Sequence, residues 1–351
     1  MLRNNSIYST LIAAYAKKKD LRGIVKSIRY MKQENVEPNS YTHHTILLGI
    51  ISCDTLEAAR DYLKEIEGTL DTNILHNSMM KAYVDANEFE QSFQLLQEMK
   101  KTRKLRPNVI TYTIIVSGLG RKNDWERVNS VMMEMKQEGI FPNARTFEPL
   151  IRFSAEKGDF VQCRKLLDNM GLYNVEPSPE MYSSLVSQAV RKKETLVASS
   201  FLQDMARSQS EVPFSLYSHV CISFCDSRMI SKAKELLEEF YQNNQESGQS
   251  GQLTQLYNII MKTTSKVDAQ QTIELYEELR KRCSPDVYTY STMLALYARN
   301  SMLQEAQQLF SEMIESKVQP NVIVYSTLIN AHIKVKDLDG ALQVQEQMIT
   351  E

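Results

Sequence analysis

The sequence predicts an all-α fold, a solenoid of about ten stacked helix-turn-helix units, and three observations support this prediction. Residues of one type recur every 35 positions, as Met135, Met170 and Met205 show. Pro142 and Pro177 keep the same spacing. Each period also contains two apolar stripes with helical spacing. A fixed period of this length is typical of repeat proteins, in which each unit buries its apolar face only against its neighbours.

The clearest unit spans residues 109–143. Apolar residues at i, i+3, i+4 and i+7 predict one buried face on each of its two helices. In the first helix these are Tyr112, Ile115, Val116 and Leu119, and in the second Val128, Val131, Met132 and Met135. Asp124 is the expected N-cap of the second helix and Gly139 its expected C-terminal stop. Pro142 then prevents continuation of the helix.

Alignment on these positions divides a single repeat domain, residues 1–351, into about ten units. They span residues 5–39, 40–72, 73–108, 109–143, 144–178, 179–213, 214–253, 254–286, 287–321 and an incomplete 322–351. The seventh unit is lengthened by a polar segment, residues 243–252, which has no periodicity and is expected to form a loop. The recurring methionines and the tyrosines at the fourth position of the units are expected to pack between helices.

Composition narrows the possible functions. The net charge of −2 is not the basic balance of a general nucleic-acid binder, so any such binding must depend on local charge. No apolar run approaches the roughly 18 residues of a membrane span. The five cysteines are odd in number and irregularly spaced, as in a reducing compartment. Cys221 and Cys225, near His219, could form half of a metal site, but ordinary buried thiols are favoured, and no metal or cofactor is expected.

The ends of the chain carry two expectations. The first unit begins by Asn5, so no targeting segment is expected within this chain. The sequence stops at Glu351 inside a helix, before the turn that closes the other units, which suggests a fragment of a longer protein.

The repeat motifs resemble those of the pentatricopeptide repeat family over essentially residues 5–351. They stand at the head of a unit in Val287–Leu294, in its second helix in Ala306–Met313, and at its end in Pro320-Asn321. Tetratricopeptide repeats have a period of 34 and a tryptophan in the first helix, whereas Trp125 lies in a second helix here. The resemblance implies a right-handed α-solenoid that binds single-stranded RNA, with one base for each repeat.

In this family the fifth and last residues of a unit contact the base. Short polar side chains can hydrogen-bond the Watson–Crick edge of a splayed base. The resemblance therefore implies base-reading roles for Ser9, Asn39, Asn77, Asn108, Thr113, Asn143, Asn258, Asp286, Ser291, Asn321 and Ser326. Ser326, like Ser218, has no dependable last-position partner.

The family pattern also implies which bases are bound. The first, fourth and ninth units, each with a hydroxyl and an asparagine, resemble adenine readers. Asn258 with Asp286 resembles a uracil reader, and Asn77 with Asn108 a pyrimidine reader leaning to cytosine. No base is assigned at His44, at Glu148 with Ser178, or at Ser183 with Pro213. Read in the 5′ to 3′ direction, the implied RNA is A-?-Y-A-?-?-?-U-A-?, where Y is a pyrimidine.

Second-position residues in the family press against the faces of the bases. Ile110, Tyr288 and Ile323 suit this role. For the two isoleucines, lateral packing between units is the alternative.

The thirteenth position, at the end of the first helix, is a cation in six units. These residues are Lys17, Arg121, Arg191, Lys266, Arg299 and Lys334. Such a series could neutralise backbone phosphates. Alternatively, a cation at a helix C-terminus complements the helix dipole. Phosphate contact is favoured, and both roles are compatible. Glu156 and Asp226 interrupt the series.

No motif predicts catalysis, so the chain is expected not to be an enzyme. The leading hypothesis is a sequence-selective RNA-binding protein in organellar RNA processing, stability or translation. The alternative is a helical scaffold that binds protein partners in a ribosomal or RNA-processing assembly. The resemblance favours a mitochondrial location, with the chloroplast as the other option.

Overall fold

The computed structural model describes residues 5–66, 73–102, 105–208, 211–244 and 250–350. Every secondary-structure element in these ranges is an α-helix, which confirms the all-α prediction. The chain divides into two compact units, residues 1–178 and 179–351, and their boundary coincides with the predicted boundary between the fifth and sixth repeats. None of the described helices combines the length and apolar character needed to cross a membrane.

Ten helices of the first compact unit form five successive pairs. They are α1 (Asn5–Lys17), α2 (Leu21–Gln33), α3 (Ser40–Ser52), α4 (Leu56–Glu65), α5 (Asn73–Asp85), α6 (Phe89–Lys101), α7 (Val109–Lys122), α8 (Trp125–Gln137), α9 (Ala144–Lys157) and α10 (Phe160–Leu172).

The second compact unit is built in the same way. Its helices are α11 (Pro179–Arg191), α12 (Thr195–Arg207), α13 (Phe214–Asp226), α14 (Ile230–Asn243), α15 (Ser250–Thr264), α16 (Ala269–Arg282), α17 (Val287–Arg299), α18 (Leu303–Glu315), α19 (Val322–Lys334) and α20 (Leu338–Thr350).

Helix pairs stack through their first helices. Within each compact unit the first helix of a pair packs against its own second helix and against the first helix of the next pair. Several second helices also contact the next first helix, as α14 contacts α15. The first helices therefore form one layer of each unit and the second helices the other.

The predicted core positions are buried. Tyr112, Ile115, Val116 and Leu119 are at most 1% exposed in α7. The recurring methionines are fully buried at 31, 99, 135, 170, 205 and 313, and the fourth-position tyrosines are buried in seven repeats. Met348, on the last described helix, is half-buried. The packing prediction is confirmed for these positions.

The ends of α8 also follow the sequence signals. The side chain of Asp124 accepts a hydrogen bond from the backbone N–H of Arg127 at 3.2 Å, which confirms the predicted N-cap. Gly139 adopts φ +72° just after α8 ends. Only glycine adopts this left-handed conformation without a steric cost, so the predicted stop is confirmed as well.

The segment 243–252, predicted as a loop, belongs in part to the two helices that flank it. Asn243 is the last residue of α14, and α15 begins at Ser250, ahead of the predicted repeat boundary. Residues 245–249 of this segment lie outside the described residues.

Candidate nucleic-acid interface

The predicted contact residues share one side of the first helices. Successive residues of an α-helix are rotated by about 100°, so positions 2 and 13 point in nearly the same direction and position 5 lies beside them. In the repeats with a predicted base-reading pair, the last residue immediately precedes the next first helix and therefore lies at the same side. We call this side, defined by positions 2, 5 and 13 and the last residue of each repeat, the first-helix surface.

In these repeats the last-position residues are the N-caps of the following first helices. The side-chain Oδ1 of Asn39 accepts the backbone N–H of Thr42 at 2.9 Å, and Asn108 accepts that of Thr111 at 3.1 Å. Equivalent bonds from the N–H groups of Val324 and Thr289 reach Asn321 at 3.0 Å and Asp286 at 2.8 Å. Asparagine and aspartate are preferred caps because they satisfy otherwise unpaired N–H groups. The same bond fixes which side-chain atom remains for a ligand.

A threonine links the fifth and last residues of the eighth repeat. Thr289, the third residue of the next repeat, donates its hydroxyl to Oδ1 of Asn258 at 2.7 Å. The amide of Asn258 donates in turn to both carboxylate oxygens of Asp286, at 3.0 and 3.2 Å. The backbone N–H of Asp286 donates to Thr289 Oγ1 at 3.2 Å, which closes a capping box. The two predicted base-reading residues are therefore in direct contact.

The same link recurs in three other repeats of the described chain. Ser9 contacts Thr42 at 3.1 Å between hydroxyl oxygens, and Thr113 contacts Thr146 at 2.9 Å. Thr111 donates to Asn77 Oδ1 at 2.8 Å. Each of these third-position threonines also contacts the last-position asparagine of the preceding repeat, namely Asn39, Asn143 and Asn108 respectively.

The ninth repeat lacks this link. Its following third-position residue is Val324, which has no hydroxyl. Ser291 instead donates to the backbone carbonyl of Val287 in its own helix, at 2.7 Å. Asn321 keeps its capping bond, so the pair of Ser291 and Asn321 is present but not bridged.

The fifth-position side chains differ in exposure. Ser9, Asn77 and Asn258 are buried, Thr113 and Ser291 are half-buried, and Ser326 is exposed. Burial is consistent with their hydrogen bonds, because a buried polar group without a partner is destabilising. Among the last-position residues Asn39, Asn108, Asn143 and Asn321 are exposed, and Asp286 is half-buried.

Second-position residues are exposed, as a contact with a base requires. The exposed fraction is 56% for Ile110, 45% for Tyr288 and 64% for Ile323. Both isoleucines are therefore accessible to a ligand. Tyr41 and Ile74, exposed by 69% and 67%, occupy the second position of the second and third repeats and were not among the predicted stacking residues. Their shared repeat position could have identified them.

One open groove brings several predicted residues together. Its volume is about 1010 Å³, and Asn258, Asp286, Tyr288 and Lys266 all line it. A predicted base-reading pair, a predicted stacking residue and a predicted phosphate contact therefore share one cavity of the second compact unit. Ile259 adds an apolar wall.

Three thirteenth-position cations bind the C-terminus of the preceding first helix. Arg299 donates to the carbonyl of Ser265 at 2.7 Å, just beyond the end of α15. Arg121 contacts the carbonyl of Val84 and the carboxylate of Asp85, at 3.4 and 3.3 Å. Lys334 donates to the carbonyl of Arg299 at 3.4 Å. The alternative role, a cation that complements a helix dipole, therefore applies to these three residues. The helix concerned is the first helix of the preceding repeat.

Lys17, Arg191 and Lys266 differ from these three cations. All three side chains are exposed. Among the residues that the structure describes, none of these three side chains takes part in a hydrogen bond or ion pair. Glu156 and Asp226, which interrupt the series, are exposed at the same position of the fifth and seventh repeats.

Within the described ranges, no three or more histidine, cysteine, aspartate or glutamate side chains form a cluster that could hold a metal ion. Cys163, Cys221 and Cys225 are buried free thiols. Burial raises the pKa of the Cys163 thiol to about 12, which keeps it protonated and unreactive near neutral pH. His219, two positions before Cys221 in α13, is exposed.

Sequence comparisons agree with the repeat pattern. The profile of the PPR repeat family matches residues 3–51, 73–121, 107–155 and 285–334, and that of the pentatricopeptide repeat domain matches residues 318–351. A chloroplastic pentatricopeptide repeat-containing protein of Arabidopsis thaliana is 25% identical over 153 residues, 42% of this chain and 20% of the relative. The mitochondrial 15S rRNA processing factor CCM1 of Meyerozyma guilliermondii is 24% identical over 206 residues, 59% of this chain and 27% of the relative.

A solved structure shares the fold. The pentatricopeptide repeat protein PPR10, crystallised with an 18-nt psaJ RNA element, superposes with a TM-score of 0.51 at 19% identity, covering 100% of this chain and 51% of that one. This chain thus spans about half of that protein and 20–27% of the two relatives above. The family profiles match more than half of the chain. The chain therefore belongs to the pentatricopeptide repeat family.

Proposed function

We propose that the chain binds single-stranded RNA in a sequence-selective way, with one base for each repeat along the first-helix surface. It acts by covering a short RNA segment, and no chemical step on the RNA is required. The contacts fall mainly in the first, third, fourth, eighth and ninth repeats, which have polar pairs at the fifth and last positions.

The observation that carries the proposal is the capping bond of the last-position residues. Because Oδ1 of Asn39 or Asn108 accepts a backbone N–H, the amide Nδ2 remains for a ligand and can only donate. In Asp286 the atom outside the capping bond is Oδ2, which accepts. Adenine N1 and cytosine N3 are acceptors, whereas uracil N3 carries a proton. The capping bond therefore makes asparagine selective for adenine or cytosine, and it makes aspartate selective for uracil.

The fifth-position residue supplies the second contact. Asparagine at position 77 or 258 reaches further than a hydroxyl and suits the smaller pyrimidines, while Ser9, Thr113 and Ser291 leave room for a purine. Together the pairs support adenine at the first, fourth and ninth repeats, cytosine at the third and uracil at the eighth.

Stacking and charge support the same ligand. The exposed second-position side chains offer apolar or aromatic faces to bases, and stacking on an aromatic ring contributes about 1–3 kcal/mol for each base. Lys17, Arg191 and Lys266 are exposed cations at equivalent points and can approach phosphates. Local charge of this kind suffices for binding although the net charge of the chain is −2.

Similarity to named proteins supports an organellar role. PPR10 was crystallised with RNA, and CCM1 carries the name of a mitochondrial rRNA processing factor. We propose that this chain works in organellar RNA processing, stability or translation. The mitochondrion is the preferred compartment, and the chloroplast is the other option because several relatives are chloroplastic.

The proposal is tested with fluorescently labelled ten-nucleotide RNAs of the form A-N-C-A-N-N-N-U-A-N. Fluorescence anisotropy at several salt concentrations should show preferred binding over the complementary RNA and over the same sequence as DNA. It should also show affinity that falls as salt rises. Equal binding of the complement, or affinity insensitive to salt, would refute the proposal and favour a scaffold that binds protein.

A double exchange sharpens the test. In the fourth repeat, Thr113→Asn with Asn143→Asp replaces an adenine pair by the uracil pair of the eighth repeat. Binding should shift from adenine to uracil at the fourth base alone. Unchanged preference at that base would contradict the assignment of one base to one repeat.

A further inference from the structure

We propose that the third-position threonine of the following repeat, most clearly Thr289, is a positioning residue that orients the fifth-position side chain toward the base. The proposal rests on the RNA-binding function above. The threonine itself is fully buried and therefore acts through its neighbours.

Chemistry determines the orientation of the Asn258 amide. A carboxylate can only accept hydrogen bonds, so the amide group of Asn258 that lies 3.0 and 3.2 Å from Asp286 must be the NH₂. The carbonyl Oδ1 then points to Thr289, whose hydroxyl donates to it at 2.7 Å. Asp286 and Thr289 hold the amide from its two ends, and a flipped amide would place an acceptor against a carboxylate.

This orientation determines what the eighth repeat offers to a base. One amide hydrogen of Asn258 bonds to Asp286, and the second remains as a donor beside the carboxylate acceptor. A donor next to an acceptor is complementary to uracil, which has a carbonyl oxygen next to its N3–H. When a base places N3 against Asp286 and O2 against the Asn258 donor, cytosine presents two adjacent acceptors, and the lone pair of its N3 faces the carboxylate.

The first and ninth repeats provide a natural comparison. Both carry serine at the fifth position and asparagine at the last, at residues 9 and 39 and at residues 291 and 321. With Thr42 present, the Ser9 hydroxyl lies 3.1 Å from the threonine oxygen. With Val324 in its place, Ser291 donates to the carbonyl of Val287 instead. The fifth-position serine thus contacts the third-position hydroxyl where one is present, and it bonds within its own helix where that hydroxyl is absent.

Substitution of Thr289 by valine tests the proposal directly, because valine keeps the shape and removes the hydroxyl. Affinities are measured for RNAs with uracil or cytosine at the eighth base, for the wild type, Thr289→Val and Thr289→Ser. The preference for uracil over cytosine should fall about tenfold in Thr289→Val. Thr289→Ser, which retains the hydroxyl, should restore it. The preference for adenine at the first base should be unaltered in both variants.

Three outcomes would overturn the proposal: an unchanged uracil preference in Thr289→Val, a serine variant that behaves like valine, or a wild type that prefers cytosine at this base. A wild type that binds no RNA would refute the proposed function first, and this inference with it.

A second variant adds a hydroxyl and therefore does not depend on the stability of Thr289→Val. Val324→Thr should turn Ser291 toward the new hydroxyl and raise the preference for adenine at the ninth base about tenfold. No change at that base, with the eighth-base preference intact, would contradict the proposal.

Discussion

Asn258 donates from its side-chain amide to both carboxylate oxygens of Asp286, at 3.0 and 3.2 Å, across 28 positions of sequence. Asn258 lies in the middle of the first helix α15, and Asp286 is the N-cap of the next first helix, α17. Their contact exists because stacking places consecutive first helices side by side. The pair implied by family resemblance is thus a physical unit, and its chemistry can be altered one atom at a time.

Asp286→Asn should change the preferred eighth base from uracil to cytosine. The substitution keeps a good N-cap but replaces the carboxylate oxygen outside the capping bond by an amide donor. We expect the ratio of uracil to cytosine affinities to fall by at least about tenfold, since a mismatched hydrogen bond costs about 1–3 kcal/mol. Anisotropy with paired RNAs measures the ratio. Asp268→Asn is the matched control, because Asp268 caps the second helix α16 and lies outside the first-helix surface.

Tyr288→Ala should weaken RNA binding about 5- to 150-fold, through the loss of about 1–3 kcal/mol of stacking. Tyr288→Phe should have little effect because the ring is retained. Tyr30, on the second helix α2, has nearly the same exposure, 47% against 45%. Tyr30→Ala therefore serves as the control for loss of an exposed ring. Equal effects of the two alanine variants would show that Tyr288 does not stack on RNA.

Lys266→Ala and Arg299→Ala should distinguish the two roles of thirteenth-position cations, phosphate contact and stabilisation of a helix C-terminus. Lys266 is exposed in the groove, so its removal should reduce the slope of log affinity against log salt by about 0.7 and leave stability unchanged. Arg299 bonds to the carbonyl of Ser265, and its removal should lower the free energy of unfolding by about 0.5–1.5 kcal/mol. Salt titrations and urea unfolding measure these effects. The opposite pattern would reverse the two assignments.

Met135→Ala should reduce the free energy of unfolding by about 2–5 kcal/mol, because the side chain is fully buried between helices and leaves a cavity. Met133 lies two positions away on the same helix and is 63% exposed. Met133→Ala should change stability by less than about 0.5 kcal/mol. Urea unfolding of both variants provides the comparison, and similar losses would argue against the buried methionine as a packing residue.

Acidification should destabilise the first compact unit through His43. Burial lowers the pKa of His43 below its ordinary value of 6.5, against weaker opposing effects of Glu37 and Glu65. The unfolded state therefore binds the proton more readily, and stability should fall as the pH drops through 6.5. In His43→Gln this contribution disappears. Urea unfolding at pH 7.5 and 5.5 should show a smaller pH effect in the variant, and an equal effect would exclude His43 as the cause.

Much of the fold follows from local pattern. The stripe of Tyr112, Ile115 and Val116, the cap at Asp124 and the stop at Gly139 were readable because helix faces and helix ends depend on nearby residues. The start of α15 at Ser250 was not predicted. Residues 250–252 show no apolar periodicity that would predict a helix. They extend α15 ahead of Leu253, the first buried residue of this helix.

The candidate site was predictable only in part. Shared repeat positions identify Asn258, Asp286 and Tyr288 as neighbours on one surface. The hydroxyl of Thr289 between two of them has no signal in the local pattern, because a threonine at the third position of a helix reads as an ordinary capping-box residue. The target of Arg299 was equally hidden, since the carbonyl it binds belongs to the preceding repeat.

By itself the sequence determined the period, the helices and the buried columns, because each depends on residues close together along the chain. The packing of neighbouring repeats determines the contacts between residues far apart along the chain. Only the side-by-side packing of first helices brings Asn258, Asp286 and Thr289 into one hydrogen-bonded set and places Arg299 at the carbonyl of Ser265. Hydrogen-bond partners separated by about one repeat are fixed by the distance between neighbouring helices, and that distance is a property of the tertiary structure.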